Sequence, residues 1–168
     1  TGNLLTIGIC ILLALAGFNL GISGKVVESL KSAGLRVILF PFAAVGGSLL
    51  GGLVYGLLSP LSIREAVAIS AGFGWYTLAP TIITEAGFAG AISFMHNVIR
   101  EVFGLVIIPI AAKKIGYLEV TGIPGVSAMD VCIPLIEKSC RAETIVYSFL
   151  IGALMNFSVP ILVPLIIG

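Results

Sequence analysis

His96, Asn97, Arg100 and Glu101 stand within one short stretch whose other residues are almost all Phe, Met, Val, Ile and Gly. Read as a helix at about 100° per residue, they fall with Ser93 and Gly104 inside an arc of about 140°. Phe94, Met95, Val98, Ile99, Val102 and Phe103 make up the rest of the circumference. An amide, a guanidinium and a carboxylate on one face of an apolar helix can do two things. They can bind a polar or charged solute, or they can hydrogen-bond to irregular backbone packed against that face. An arginine at the centre of a membrane helix costs about 2.5–3.5 kcal/mol on insertion scales, so it must have a partner or a task. For Arg100 both readings stand: pinning bare carbonyls, or contact with substrate or ion. Asn97 and Glu101 read more as substrate or ion contacts. His96, at the edge of the arc, reads as structural, although an imidazole titrates near neutral pH.

A second chemical position is Asp130, in Gly125-Val126-Ser127-Ala128-Met129-Asp130. Its spacing from Ser127 fits a capping box at the start of a short helix, with Ser127 as the cap. Such a cap contributes about 1 kcal/mol, less than it costs to bury a carboxylate without a partner. The imbalance favours a functional role, in which the carboxyl exchanges a proton or pairs with a cation. The third position is Gly72-Phe73-Gly74-Trp75-Tyr76-Thr77-Leu78-Ala79-Pro80, where two glycines and a proline break any helix. Beside that bare backbone, Trp75 and Tyr76 serve either as cation–π partners for an alkylammonium group or as interfacial anchors. Thr77 and Thr81 offer hydroxyls, and helix amino ends near Pro80 and Ser127 can receive a carboxylate. A zwitterion with an extra positive charge is compatible with such a set.

The elements that must carry these groups are apolar throughout. Of 168 residues, 58% are hydrophobic and 10% charged, against roughly 25% charged in soluble domains. A net charge of +1 gives no basic field for nucleic acid. No metal-ligand pair, phosphate-binding Walker loop or nucleophile elbow is present, and nothing points to an enzyme or a bound cofactor. Cys10, Cys132 and Cys140 have no paired or zinc-like spacing; Cys10 and Cys132 read as small packing residues. The first apolar run lacks the basic start and cleavage site of a signal peptide and reads as a retained span. A start at Thr1 is expected of a processed, trimmed or partial chain.

Apolar runs at residues 4–21, 37–58, 90–112 and 143–167 are each long enough to cross a hydrocarbon core of about 30 Å. Pro160 and Pro164 are expected to interrupt the last near its end. Residues 24–36 read as an amphipathic helix on the membrane surface. Gly46, Gly47, Gly51 and Gly52 give the second span a small-residue packing face. Residues 64–88 and 116–140 are broken: a helix over 63–71 and another from Pro80 to Glu85 in the first, and a helix from about Ala128 to Lys138 in the second. Basic residues mark the cytoplasmic side. If both broken segments dip in and return, Lys25, Lys31, Arg36, Lys113, Lys114, Lys138 and Arg141, seven of the nine basic residues, share that side. The expected architecture is therefore one all-α integral membrane domain, residues 1–168. It has four spans, two oppositely directed re-entrant hairpins, and both termini outside. Irregular backbone at membrane depth survives only where protein or a water-filled cavity satisfies it. Opposed broken helices near the midplane are how secondary transporters build their sites.

Three segments also carry a family resemblance. Gly72-Phe73-Gly74-Trp75-Tyr76-Thr77-Leu78, Asn97-Val98-Ile99-Arg100-Glu101 and Gly125-Val126-Ser127-Ala128-Met129-Asp130, followed by Pro134, resemble in order and spacing those of the LysO-type bacterial lysine exporters. The resemblance implies export of L-lysine and lysine-like antimetabolites across the bacterial inner membrane, in exchange for protons. By position, it implies that Asp130 is the intramembrane acid needed for transport. Asn97, Arg100, Glu101 and the break around Gly74, Trp75, Tyr76 and Thr77 would line the path, with Ser127 beside Asp130. Such exporters are nearly twice as long, with further N-terminal spans. This chain is thus expected to work as a homo-oligomer, or with a small membrane subunit that supplies those spans. The alternatives are a channel-like or non-transporting subunit that stabilises a partner, and an exporter of another amino acid.

Overall fold

The computed structural model describes residue 18, residues 35–141 (side chains from residue 39) and residues 144–168. The expected span at 4–21, Cys10 and most of the surface helix at 24–36 lie outside the described residues. Leu35 and Arg36, assigned by sequence to the surface helix, instead open the first long helix.

Three helices dominate: α1 (Leu35–Leu58), α4 (Gly90–Ile115) and α6 (Thr144–Ile167). At about 1.5 Å per residue each spans some 36–39 Å. They are long and apolar enough to cross a membrane, and most of their surface faces outward. Phe42, Leu50 and Leu57 on α1, Phe94, Ile99 and Phe103 on α4, and Phe157, Ile161 and Leu165 on α6 are all exposed. In water such a surface would drive aggregation, whereas in lipid it is the solvent-facing side. The chain is an all-α integral membrane protein. Its last helix runs unbroken through Pro160 and Pro164, contrary to the expectation of an interruption. Membrane helices tolerate proline because neighbouring groups re-satisfy the freed carbonyls.

Between α1 and α4 the chain folds into a hairpin of two half-helices, α2 (Ile63–Ser70) and α3 (Leu78–Glu85). Ser62 caps α2, its hydroxyl accepting from the Glu65 amide at 3.2 Å. Residues 71–77 are turns, and α3 begins at Leu78, two residues before the expected start, which leaves Pro80 in its first turn. Glu65 Oε1 accepts the Ala89 amide at 2.8 Å. The segment's two ends are thereby tied together into a closed hairpin. Of the predicted glycine face on α1, only Gly52 packs tightly against the described residues. A Cβ there would stand 2.6 Å from Ser70 Oγ, whereas Gly46, Gly47 and Gly51 have nothing within 4 Å. Gly56, not part of that expected face, makes the second close approach to α2, at Ile63.

The second segment is built differently from the expected single helix. Two 310 turns, Glu119–Gly122 and Gly125–Met129, precede the short helix α5 (Ile133–Ser139). Val120, Cys132 and Ile136 pack against Ile108 and Ala112 in the far half of α4, so Cys132 is a core residue. The Arg141 guanidinium lies 5.4 Å from the centre of the Tyr117 ring, which closes this second hairpin at its base. Helix α6 then runs from one base to the other. Its Thr144 amide donates to Arg141 O at 2.9 Å, and its Ile167 carbonyl accepts from Arg64 Nη1 at 3.2 Å. Along the way Ile151, Met155, Val159 and Val163 bury against Ile69, Phe73 and Ile83 of the first hairpin.

Candidate functional site: the crossing of the two hairpins

The tips of the two hairpins touch through their backbones. The Val126 amide donates to Phe73 O at 2.8 Å. Positive φ angles on both sides make this possible: +47° at Phe73 and +97° at the adjoining Gly74 and, on the other hairpin, +72° at Gly125. A positive φ at a bulky residue such as Phe73 costs about 1–3 kcal/mol, which persists only where the surroundings fix it. Gly125 is required twice over. Besides its φ, a Cβ there would sit 2.0 Å from Phe73 O, a backbone atom that cannot step aside.

Helix α4 supplies what the bare backbone lacks. Asn97 Oδ1 accepts the Gly74 amide at 2.8 Å, and Asn97 Nδ2 donates to Ser93 O at 2.9 Å, all of it buried. Arg100 donates from Nε to Ile123 O at 3.1 Å, from Nη2 to Gly122 O at 3.4 Å and from Nη1 to Ser48 Oγ at 2.9 Å. The pinning role left open for Arg100 is therefore real: it satisfies carbonyls of the second hairpin and links them to α1. Glu101, one residue on and about 100° round the helix, turns to the other side, where its Oε2 accepts the Ser127 hydroxyl.

That hydroxyl is the reason the predicted capping box is absent. Ser127 lies inside a 310 turn and bonds across to α4, while α5 starts after Cys132 with no side-chain cap. The helix amino end expected near Ser127 does not exist. Asp130 instead ends the 310 turn, its Oδ1 accepting the Val131 amide at 2.6 Å. Tyr76 stands edge-on to Phe94, with ring centres 6.3 Å apart, and lies within electrostatic reach of both Glu101 and Asp130. Glu101, Asp130, Tyr76 and Ser127 thus gather on one flank of the crossing, and Asn97, Arg100 and Gly74 hold its centre. The other expected residues are not brought in. Trp75 packs against the core of the first hairpin. Thr77 is exposed, with its carbonyl accepting Thr81 Oγ1 at 2.8 Å. His96 is half-buried, its Nδ1 without a hydrogen-bond partner. Sequence reasoning missed Ser48, for which the only signal is a lone serine in an apolar run, and Ser148, whose hydroxyl donates to Ala128 O.

Long apolar helices around a buried polar crossing define a multi-pass α-helical protein of the inner membrane, since closed β-barrels are the usual spanning form in the outer one. The chain belongs to the lysine exporter LysO family, whose family model matches residues 1–167. It is 26% identical over 155 residues to the lysine exporter LysO of Escherichia coli K12, an alignment covering 91% of this chain and 51% of that relative. It is 30% identical over 148 residues, 86% of this chain and 72% of the relative, to a Haemophilus influenzae Rd protein described provisionally as a lysine exporter. The chain thus spans about half the length of the Escherichia coli relative. No solved structure matches it.

Proposed function

We propose that this chain forms the substrate-binding part of a secondary exporter of L-lysine and lysine analogues, which moves its substrate across the inner membrane in exchange for protons and performs no chemistry on it. The observation that carries the reading is the pair of carboxyl groups, Glu101 and Asp130, with the Tyr76 hydroxyl, beside a backbone crossing that α4 holds rigid. Two acids at membrane depth attract an ammonium group. Asp130, whose carboxylate accepts the Val131 amide and has no basic partner among the described residues, is the group that alternately carries a proton and pairs with the substrate cation. Exchange of one for the other keeps the site's charge balanced as it changes face. The tied hairpin ends, Glu65 to Ala89 and Tyr117 to Arg141, support two re-entrant segments open to opposite sides. The whole is a single polytopic domain. The shorter length relative to the Escherichia coli protein supports assembly with a second copy or with a separate membrane subunit.

Counterflow of radiolabelled lysine into proteoliposomes, with and without such a subunit, tests the reading. Saturable uptake into lysine-loaded vesicles is expected, and its absence in both preparations removes the proposal. Asp130→Asn is expected to abolish pH-driven exchange while the protein keeps its thermal midpoint. Unchanged exchange takes Asp130 out of the mechanism.

A further inference from the structure

A cavity of about 540 Å³ lies between α1, α2 and α4, on the flank of α4 that carries His96 and Arg100. Its size falls in the range of roughly 300–1,000 Å³ typical of small-molecule sites. Glu101 points elsewhere, about 100° round the helix from Arg100, and among the described residues no carboxylate lines the cavity. The wall is mostly apolar, Ile69 and Ile99 included, with Tyr55 and four further polar side chains from three helices set into it: Ser48, Ser70, His96 and Arg100.

Each of those four has unspent hydrogen-bonding capacity. Arg100 uses three N–H groups, all on neutral acceptors; a guanidinium has five, so one on each terminal nitrogen remains. Ser48 Oγ accepts from Arg100, and its own proton is free to be donated. The Ser70 side chain is buried yet makes no hydrogen bond among the described residues. His96 Nδ1 is buried and has no hydrogen-bond partner among the described residues. A cation with no counter-charge among the described residues, ringed by idle donors in low-dielectric surroundings, is strongly anion-seeking. The geometry points to an anion subsite that takes the carboxylate of a ligand with a short aliphatic body, the head on Arg100, Ser48 and Ser70 and the body along Ile69 and Ile99. Two sources present this chemistry, an amino acid's own carboxylate and a free monocarboxylate. The first rests on the transport reading above, whereas the site itself does not.

The test is calorimetric titration of hexanoate into the full chain in lipid nanodiscs, with empty nanodiscs as the blank. Saturable binding is expected for hexanoate and none for hexylamine, which has the same body and the opposite charge. Ser70→Ala, which removes no bond from the fold, is expected to weaken hexanoate about tenfold. Gly51→Leu, which fills the cavity from a position with no neighbour within 4 Å, is expected to block it. Displacement of hexanoate by L-lysine but not by L-lysinamide assigns the site to the amino acid. Hexanoate binding that L-lysine leaves untouched assigns it to free monocarboxylates. Absence of saturable binding, or equal binding by the wild type, Ser70→Ala and Gly51→Leu, overturns the subsite. Because no transport is read, that failure is separate from a failure of lysine counterflow.

Discussion

Asn97 satisfies the Gly74 amide at the point where the first hairpin has no secondary structure of its own. Asn97→Ala leaves that buried N–H without a partner, a loss of about 1–3 kcal/mol, and a lowered thermal midpoint in detergent is expected. Gly125→Ala is expected to be worse, since its Cβ would collide with backbone at Phe73; Gly46→Ala, with no neighbour within 4 Å among the described residues, is the expected silent control. Charge and fold separate at Glu101. Glu101→Gln keeps an acceptor for the Ser127 hydroxyl, so normal stability with lost lysine counterflow is expected, and retained counterflow would remove Glu101 from the substrate path. Asn97, Arg100 and Glu101 could be read from sequence because helical periodicity alone places them on one face. Ser127 could not. Its spacing to Asp130 is that of a cap, but whether residues 125–129 form an α-helix or a 310 turn depends on the positive φ of Gly125 and on a partner 26 residues upstream.

At the scale of elements, the three long helices and the first break follow directly from apolar length and from Gly and Pro placement, and their boundaries agree with expectation to within a few residues. The second segment was less legible, because 310 turns carry no periodic pattern and their stability comes from contacts with α4 and α6. Pro160 and Pro164 misled for a related reason: in lipid a helix is favoured strongly enough to continue through proline. The return of the first hairpin depends on the Glu65–Ala89 tie. Glu65→Ala is expected to loosen it by about 1 kcal/mol, seen as faster amide hydrogen exchange at residues 87–90 with little change near Asn97. Equal protection in both proteins would show that packing alone closes the hairpin.

At the scale of the whole molecule, two hairpins from opposite ends of α4 meet at Phe73 and Val126, and their re-entry from opposite faces of the membrane is the proposal on which the site depends. Basic residues cluster at one end, Lys113, Lys114, Lys138 and Arg141, while Arg64, Glu65 and Glu85 lie at the other, so the charge rule predicts a cytoplasmic location for the first end. The most direct measurement is labelling of Glu85→Cys and Lys138→Cys, both exposed positions, with a membrane-impermeant thiol reagent in oriented vesicles whose native cysteines have been replaced. The account predicts that the two sites react from opposite compartments, Glu85→Cys from outside and Lys138→Cys from the cytoplasmic face. If both segments ran straight through the membrane, α4 would be inverted and the two would react from the same compartment. That result would contradict the crossing, and with it the site built around it.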